Sequence, residues 1–210
     1  MTTEIALFSN DLISEESQNT LPDGYKFRAL QRSDFNHGYL GVLRDLAYVG
    51  PITEEQWEER FDAMKKCENT YFVLVIVKGE GDDEVIIGTG TLVVEMKFLG
   101  NLGLQGHIED VCISAGHQGQ QFGTKLIKAL DQLGADRGCY KTILDCAEAK
   151  RGFYEKCGYE GRGYEMHHYH DPESEAALNG IMVLKIYFIQ PCAAKSFSFS
   201  INFITHVVLG

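Results

Sequence analysis

Apolar residues along this chain change period several times, and each change marks an element. Residues 21–24, Leu-Pro-Asp-Gly, read as a turn, and residues 25–30 then alternate as a strand does. Ser33 or Asp34 stands where an N-cap is wanted, and Leu40, Leu43 and Leu46 repeat at helical spacing toward Gly50 and Pro51. Thr53 with Gln56 three residues later forms a capping box, and Trp57, Phe61 and Met64 follow on one helical face. Residues 71–77 and 85–95 are apolar runs separated by a glycine-rich acidic turn at 79–83, a pattern that predicts an antiparallel hairpin. A further strand is expected at 107–114, a helix at 124–133 with Leu126, Ile127, Leu130 and Leu133 on its buried face, and a strand at 140–146. A short helix at 149–157 and a last strand at 164–169 complete the order. Antiparallel hairpins combined with one strand-helix-strand crossover give an α/β fold with a mixed, mostly antiparallel sheet flanked by helices.

The character changes near Asp171. Residues 181–189 are apolar but broken by Lys185, and Gln190, Pro191 and Lys195 interrupt the window of roughly 20 apolar residues that a membrane span needs. The expected division is therefore a folded unit at 1–170 and a poorly ordered extension at 171–210, with no membrane anchor. The 210 residues suffice for one domain with a substantial core. With 30 acidic against 19 basic residues, the net charge of -11 opposes long-range attraction to nucleic acid or anionic membranes, so an anionic ligand needs a local binding device. Six scattered cysteines (Cys67, Cys112, Cys139, Cys146, Cys157, Cys192) contain no C-x-x-C pair, which favours reduced thiols over zinc or disulfides. Residues 1–4 carry no basic or apolar leader, so a cytoplasmic location is expected.

The most informative segment is Gln118-Gly119-Gln120-Gln121-Phe122-Gly123, between an apolar strand ending near Ile113 and a helix expected to begin near Thr124. Unpaired N–H groups at a helix N-terminus bind phosphate oxygens without cationic side chains, which suits an acidic protein. Gly119 and Gly123 allow close approach of a ligand to the backbone. By itself the pattern also fits an ordinary strand-to-helix turn.

Four stretches occur in order around this turn: Gly106-His107-Ile108-Glu109-Asp110-Val111, the turn itself, residues 138–146 (Gly-Cys-Tyr-Lys-Thr-Ile-Leu-Asp-Cys), and residues 152–159 (Gly-Phe-Tyr-Glu-Lys-Cys-Gly-Tyr). Together they resemble the GNAT acyltransferase superfamily, and within it the glucosamine 6-phosphate N-acetyltransferases, especially those of fungi. The resemblance runs from about Ile5 to His170. In the superfamily pattern Q/R-x-x-G-x-G/A, Gln118, Gln121 and Gly123 occupy the marked positions, with Gln121 in place of the middle glycine. The resemblance implies acetyl transfer from acetyl-CoA to the 2-amino group of glucosamine 6-phosphate, a step towards UDP-N-acetylglucosamine, without a metal.

It also implies roles for individual residues. Gln118, Gly119, Gln120, Gln121, Phe122, Gly123 and Thr124 would hold the CoA pyrophosphate. Asp110, Val111, Cys112 and Ile113 would line the CoA side of a strand splayed from its neighbour, with Val111 and Ile113 pairing with the pantetheine amides. Tyr154 would face the sulfur. Tyrosine ionises near 10 and a thiol near 8.5, so full proton transfer is uphill by about 2 kcal/mol, and hydrogen-bond stabilisation of the thiolate is the favoured role. Side chains alternate along a strand, so Glu109 and Asp110 should face opposite ways. Glu109 and Asp145 are assigned to the sugar and its ammonium. Lys97, Phe98, Leu99, Gly100, Tyr140 and Lys141 would meet the rest of the substrate, and a homodimer with composite sites follows from the resemblance.

Three places depart from the family. Lys97-Phe98-Leu99-Gly100 stands for Lys-Phe-Ile-His, Ala47-Tyr48-Val49-Gly50 for Thr-Thr-Val-Gly, and Lys150 for an asparagine on the CoA side, where a cation favours CoA phosphates. The first two fall on the sugar pocket, which works through side chains. His167, His168 and His170 read as surface or phosphate contacts rather than a metal site. A CoA-binding pseudoenzyme or dimerising scaffold, and an acetyltransferase for another amine, are the competing readings.

Overall fold

In the computed structural model, which describes residues 4–171 and 175–176, five strands form one sheet in the order β1-β2-β3-β4-β5. Strands β1 (Tyr25–Ala29), β2 (Tyr71–Lys78), β3 (Val85–Met96) and β4 (Leu104–Ile113) are antiparallel neighbours, while β5 (Cys139–Ile143) lies parallel to β4. The parallel step requires a crossover, supplied by α5 (Phe122–Asp136). Leu126, Ile127, Leu130 and Leu133 of α5 are buried on the sheet beside Ile87, Leu92 and Ile108.

The capping box that opens α3 (Glu54–Lys66) is formed in both directions: Gln56 N–H donates to Thr53 Oγ1 (3.2 Å) and Thr53 N–H to Gln56 Oε1 (3.0 Å). Trp57 and Phe61 are buried, and the Trp57 indole N–H donates to the Arg32 carbonyl at 2.7 Å.

The segment after β1 departs from the expected single helix. A 3-10 turn (Arg32–Phe35) is followed by a separate α2 (Tyr39–Arg44), entered through Gly38 at φ 89°. Asp34 is no N-cap. Its carboxylate accepts the Gln31 N–H (2.7 Å) and both terminal nitrogens of Arg28 (2.8 Å each), and it has no exposed surface. That ion pair fixes the turn and forces the chain to restart its helix.

The segment before β1 is also more structured than its polarity implied. A single turn, α1 (Glu15–Gln18), is capped by Ser14, and Leu7, Phe8 and Ile13 enter the core. Gln18 covers the outer edge of β1, donating to the Phe27 carbonyl (2.6 Å) and accepting the Phe27 N–H (2.9 Å), which blunts an otherwise open sheet edge.

No strand forms at 164–169. Residues 159–169 run without regular structure, and Tyr164 and Met166 are almost fully exposed. Among the described residues this segment has no ladder partner, and alternation without a partner does not make a strand. The expected extension at 171–210 lies almost wholly outside the described residues. Among the described residues no helix is long and apolar enough to cross a membrane.

Candidate active site

The site begins with a disruption of β4. Its ladder with β3 pairs Thr91 with Glu109 and Thr89 with Cys112, so Asp110 and Val111 together face Gly90 alone. Asp110 takes φ 52°, a conformation rare for a residue with a side chain. This is a β-bulge, and bulges sharpen twist. Gly90 is required opposite it, because a Cβ there would lie 2.7 Å from Leu130 Cδ1 of α5.

Pairing of β4 with β5 ends at His107↔Ile143, so Ile108 to Ile113 have no sheet neighbour on that side and the strands splay as expected. Ser114 N–H donates to the Ile87 carbonyl (2.8 Å). Antiparallel alternation then turns the Ile113 N–H away from β3, onto the open edge. The Val111 amide falls within the bulge itself.

Beyond β4 a short 3-10 turn (Ala115–His117) is held by Ala115 N–H on Asp45 (3.0 Å) and by Ser114 against His117 Nδ1 (2.9 Å). Gly119 (φ 78°) and Gln121 (φ 65°) are both left-handed, and α5 starts at Phe122, two residues earlier than expected. The earliest backbone N–H of this helix with an intrahelical acceptor is that of Lys125, on the Gln121 carbonyl (3.1 Å). Among the described residues, the N–H groups from Gln118 to Thr124 have no protein acceptor. A row of free donors at the positive end of a 15-residue helix is a built anion cradle.

Individual side chains of the turn serve its shape. Phe122 is buried against Tyr25 (4.8 Å between ring centres), and Gln118 donates to the Ile113 carbonyl at 3.0 Å. A Cβ on Gly123 would meet Phe153 at 3.4 Å, so this glycine admits α6 (Arg151–Lys156) close against the helix start. Both Phe122 and Gly123 can therefore reach a ligand only through their N–H groups.

Tyr154 on α6 is half-buried between Phe153 and Tyr159 (4.9 and 6.3 Å between ring centres). Burial raises its phenol above the ordinary tyrosine range, and the Cys146 and Cys157 thiols nearby add to the effect. It is thus a donor at any physiological pH. Tyr159 fastens the following segment to α5 through its hydroxyl on Asp131 (2.7 Å). Lys150 is exposed at the N-terminal cap of α6.

Across the splay lie the carboxylates. His107 and Glu109 share one face of β4, and Ile143 and Asp145 continue the same face from β5. His107 Nε2 lies 3.2 Å from Glu109 Oε1 and 3.4 Å from Asp145 Oδ2. Burial pushes the Glu109 carboxyl up; the His107 charge opposes that, and Asp110, Asp145 and Glu165 reinforce it. Asp110 is raised by burial, and its charge acts on Tyr39 as well as on Glu109. A helix start with free backbone donors, an open strand edge and a pair of carboxylates thus lie along β4 and its splay from β5, with a half-buried phenol on α6 packed against the helix start through Phe153.

The profile of the acetyltransferase (GNAT) family matches residues 29–159. This chain belongs to the GNAT acetyltransferase family. Named relatives agree: "Glucosamine 6-phosphate N-acetyltransferase 1" of Dictyostelium discoideum is 43% identical over 69% of this chain and 90% of its own length. "Glucosamine 6-phosphate N-acetyltransferase" of Candida albicans is 38% identical over 70% and 96%. The crystal structure of glucosamine-6-phosphate N-acetyltransferase from Arabidopsis thaliana superposes with a TM-score of 0.66 at 36% identity, covering 70% of this chain and 99% of that one.

Within this GNAT acetyltransferase, the residues expected at the sugar phosphate fall in a second group, apart from the fork. Lys97 pairs with Glu95 (2.5 Å) and donates its N–H to the Gly103 carbonyl (2.9 Å) at the β3–β4 tip. Phe98 and Leu99 are exposed, and Gly100, Asn101 and Leu102 are all left-handed within the single turn α4 (Leu99–Leu102). Tyr140 lies against Gly100 and Gly103, its hydroxyl donating to Gln105 (3.1 Å), and Lys141 stands 5.7 Å over its ring. Gly103 and Glu109 stand six positions apart, five residues of β4 between them, which is roughly 20 Å of strand.

His107 carries no role in the sequence reading. Its signal was present, since it stands two residues before Glu109 on one strand face, but the second half depended on the β4–β5 register. Of the three terminal histidines, His167 pairs with Glu165 (2.7 Å), and His168 stacks on His170 (4.8 Å).

Proposed function

We propose that this enzyme transfers the acetyl group of acetyl-CoA to the 2-amino group of D-glucosamine 6-phosphate by direct attack in a ternary complex. The observation that carries the reading is the row of unsatisfied N–H groups from Gln118 to Thr124 beside a splayed strand whose far side bears Glu109 and Asp145. It pairs a diphosphate-holding device with an ammonium-holding one, and the relatives' names supply the acceptor. Acetyl-CoA brings the activated acyl group. The Ile113 amide offers the pantetheine a strand neighbour, Glu109 and Asp145 draw in the ammonium, and proton loss to water leaves the amine nucleophilic. Tyr154 then donates to the departing thiolate.

Replacing Tyr154 by Phe should lower kcat roughly ten- to a hundredfold, the worth of one hydrogen bond to a charged group. Acetyl-CoA affinity, set by the cradle, should stay within about twofold; single-turnover rates beside calorimetry separate the two.

The separation of Lys97 from Glu109 supports a homodimer in which each sugar site takes its phosphate-side residues from one copy and its carboxylates from the other. Glu109→Gln and Lys97→Ala variants, each impaired, should recover about a quarter of wild-type activity when refolded together, because half the dimers then hold one intact site of two. Recovery of none would place both groups in one chain. Residues 1–170 form the transferase unit in this reading, and free thiols at Cys67, Cys112, Cys139, Cys146 and Cys157 suit the cytoplasm.

Thiol release from acetyl-CoA tests the acceptor. Glucosamine 6-phosphate should saturate the rate, glucosamine should need far higher concentrations, and glucose 6-phosphate should inhibit without reacting. Preference for another amine, or acetyl-CoA binding with no thiol released, would replace this reading with one of its competitors.

A further inference from the structure

We infer that His107 is a positioning residue, whose imidazole spans Glu109 and Asp145 at the fork between β4 and β5 and sets the spacing at which those carboxylates receive an acceptor ammonium. The geometry follows from the register. His107↔Ile143 is the last β4–β5 pair, so His107 occupies the closed end of the fork, with Glu109 on one prong and Asp145 on the other. Its Nε2 is buried and lies within 3.4 Å of both carboxylates, without hydrogen-bond alignment to either. Among the described residues neither carboxylate has a lysine or arginine partner.

The acidic groups that act on Glu109 are Asp110, next to it on β4, Asp145 beyond β5, and Glu165 from the terminal segment. Carboxylates crowded in this way push one another apart or take up a proton, and either outcome weakens a grip on an ammonium. A nitrogen held between two of them prevents both. His107 stands in the strand face opposite Val93 on the β3 ladder, and Glu109 and Asp145 approach it from the two prongs.

The consequence for turnover rests on the amine-transfer reading, whereas the clamp itself does not, and the tests keep the two apart. In the free full-length protein, two-bond proton–nitrogen spectra should show the His107 proton on Nε2, facing the carboxylates, and the double variant Glu109→Gln/Asp145→Asn should redistribute it to Nδ1. An unchanged tautomer pattern would overturn the clamp whatever the enzyme acetylates.

In turnover, His107→Ala should raise the KM for the acceptor amine roughly tenfold or more and leave that for acetyl-CoA within about twofold. His107→Gln, which keeps an N–H at the same reach but no charge, should stay within about threefold of wild type at pH 8, and its acid limb in acceptor kcat/KM should lie at higher pH. A purely structural histidine would instead raise both KM values together and leave the limb in place, and that result would also overturn the inference. Wild-type protein inert toward glucosamine 6-phosphate would sink the functional reading and leave the spectra to decide the clamp.

Discussion

Glu109→Gln should lower kcat/KM for the acceptor roughly 10²- to 10³-fold while acetyl-CoA still binds with its wild-type affinity. The amide keeps the shape of the side chain and removes its charge, so the loss reports the carboxylate's hold on the incoming ammonium. A charge pair that is desolvated when the substrate closes over it costs about 3–4 kcal/mol to break, which converts to that range. Asp145 remains and limits the loss. The pH profile adds a second signature. Glu109 sits above the ordinary glutamate range through burial, so as pH falls it gains its proton, and loses its grip, at a pH higher than a solvated glutamate would. The variant should flatten that acid limb. Retention of wild-type kcat/KM and of the limb would remove Glu109 from acceptor binding.

Where the decisive contacts are local, this site was legible in the chain. The capping box at Thr53 and Gln56, the buried face of α5 and the free donors before it are each set by residues within a few positions of one another. The splay was expected from the family resemblance, and the pairing of β4 with β5 ends at His107 and Ile143. What failed depended on distant partners. Asp34 looked like a helix cap until Arg28 was found against it, and the bulge at Asp110 depends on Gly90, twenty residues earlier on another strand. Leu7, Phe8 and Ile13 follow no helical or strand period, so nothing in their spacing announced burial. Residues 164–169 alternate as a strand does, yet alternation supplies no neighbour. The residues that the resemblance groups at the sugar phosphate fall at two places along one chain, Lys97 to Gly100 with Tyr140 and Lys141 at the β3–β4 tip and Glu109 with Asp145 at the splay, a separation visible only once β4 is seen running between them.

Arg28→Met should be the most damaging substitution away from the site, costing about 3–5 kcal/mol of stability. Arg28 and Asp34 are 4% and 0% exposed, and their bidentate contacts are both 2.8 Å. Methionine fills the volume of the stem but leaves the Asp34 charge in the core without its cation, with the Gln31 N–H (2.7 Å) and His37 Nδ1 (3.3 Å) still beside it. Against a total of about 5–15 kcal/mol this consumes much of the margin, and melting should fall by roughly 10 °C. The double variant Arg28→Met/Asp34→Asn should recover part of the loss, since the abandoned charge is gone.

The same network gives a pH dependence. Burial alone would raise the Glu84 carboxyl, but hydrogen bonds from Lys26 and Arg28 and the charges of both outweigh it and hold it below the ordinary range. A depressed carboxyl contributes stability that is present above its unfolded value of about 4.3 and is lost as pH falls through the folded value. Wild-type protein should therefore show an acid-side loss of stability that Arg28→Met blunts. Thermal melts from pH 3 to 7 would contradict this if the two proteins lost stability in parallel.

Every functional step above presupposes a CoA thioester held by main-chain donors. Backbone amide spectra recorded during titration with CoA examine that grip residue by residue. Saturable shifts concentrated at Gln118 through Thr124, with a further response at Ile113, are the predicted result. Well-folded protein whose amides in this turn ignore CoA at millimolar concentration would contradict it.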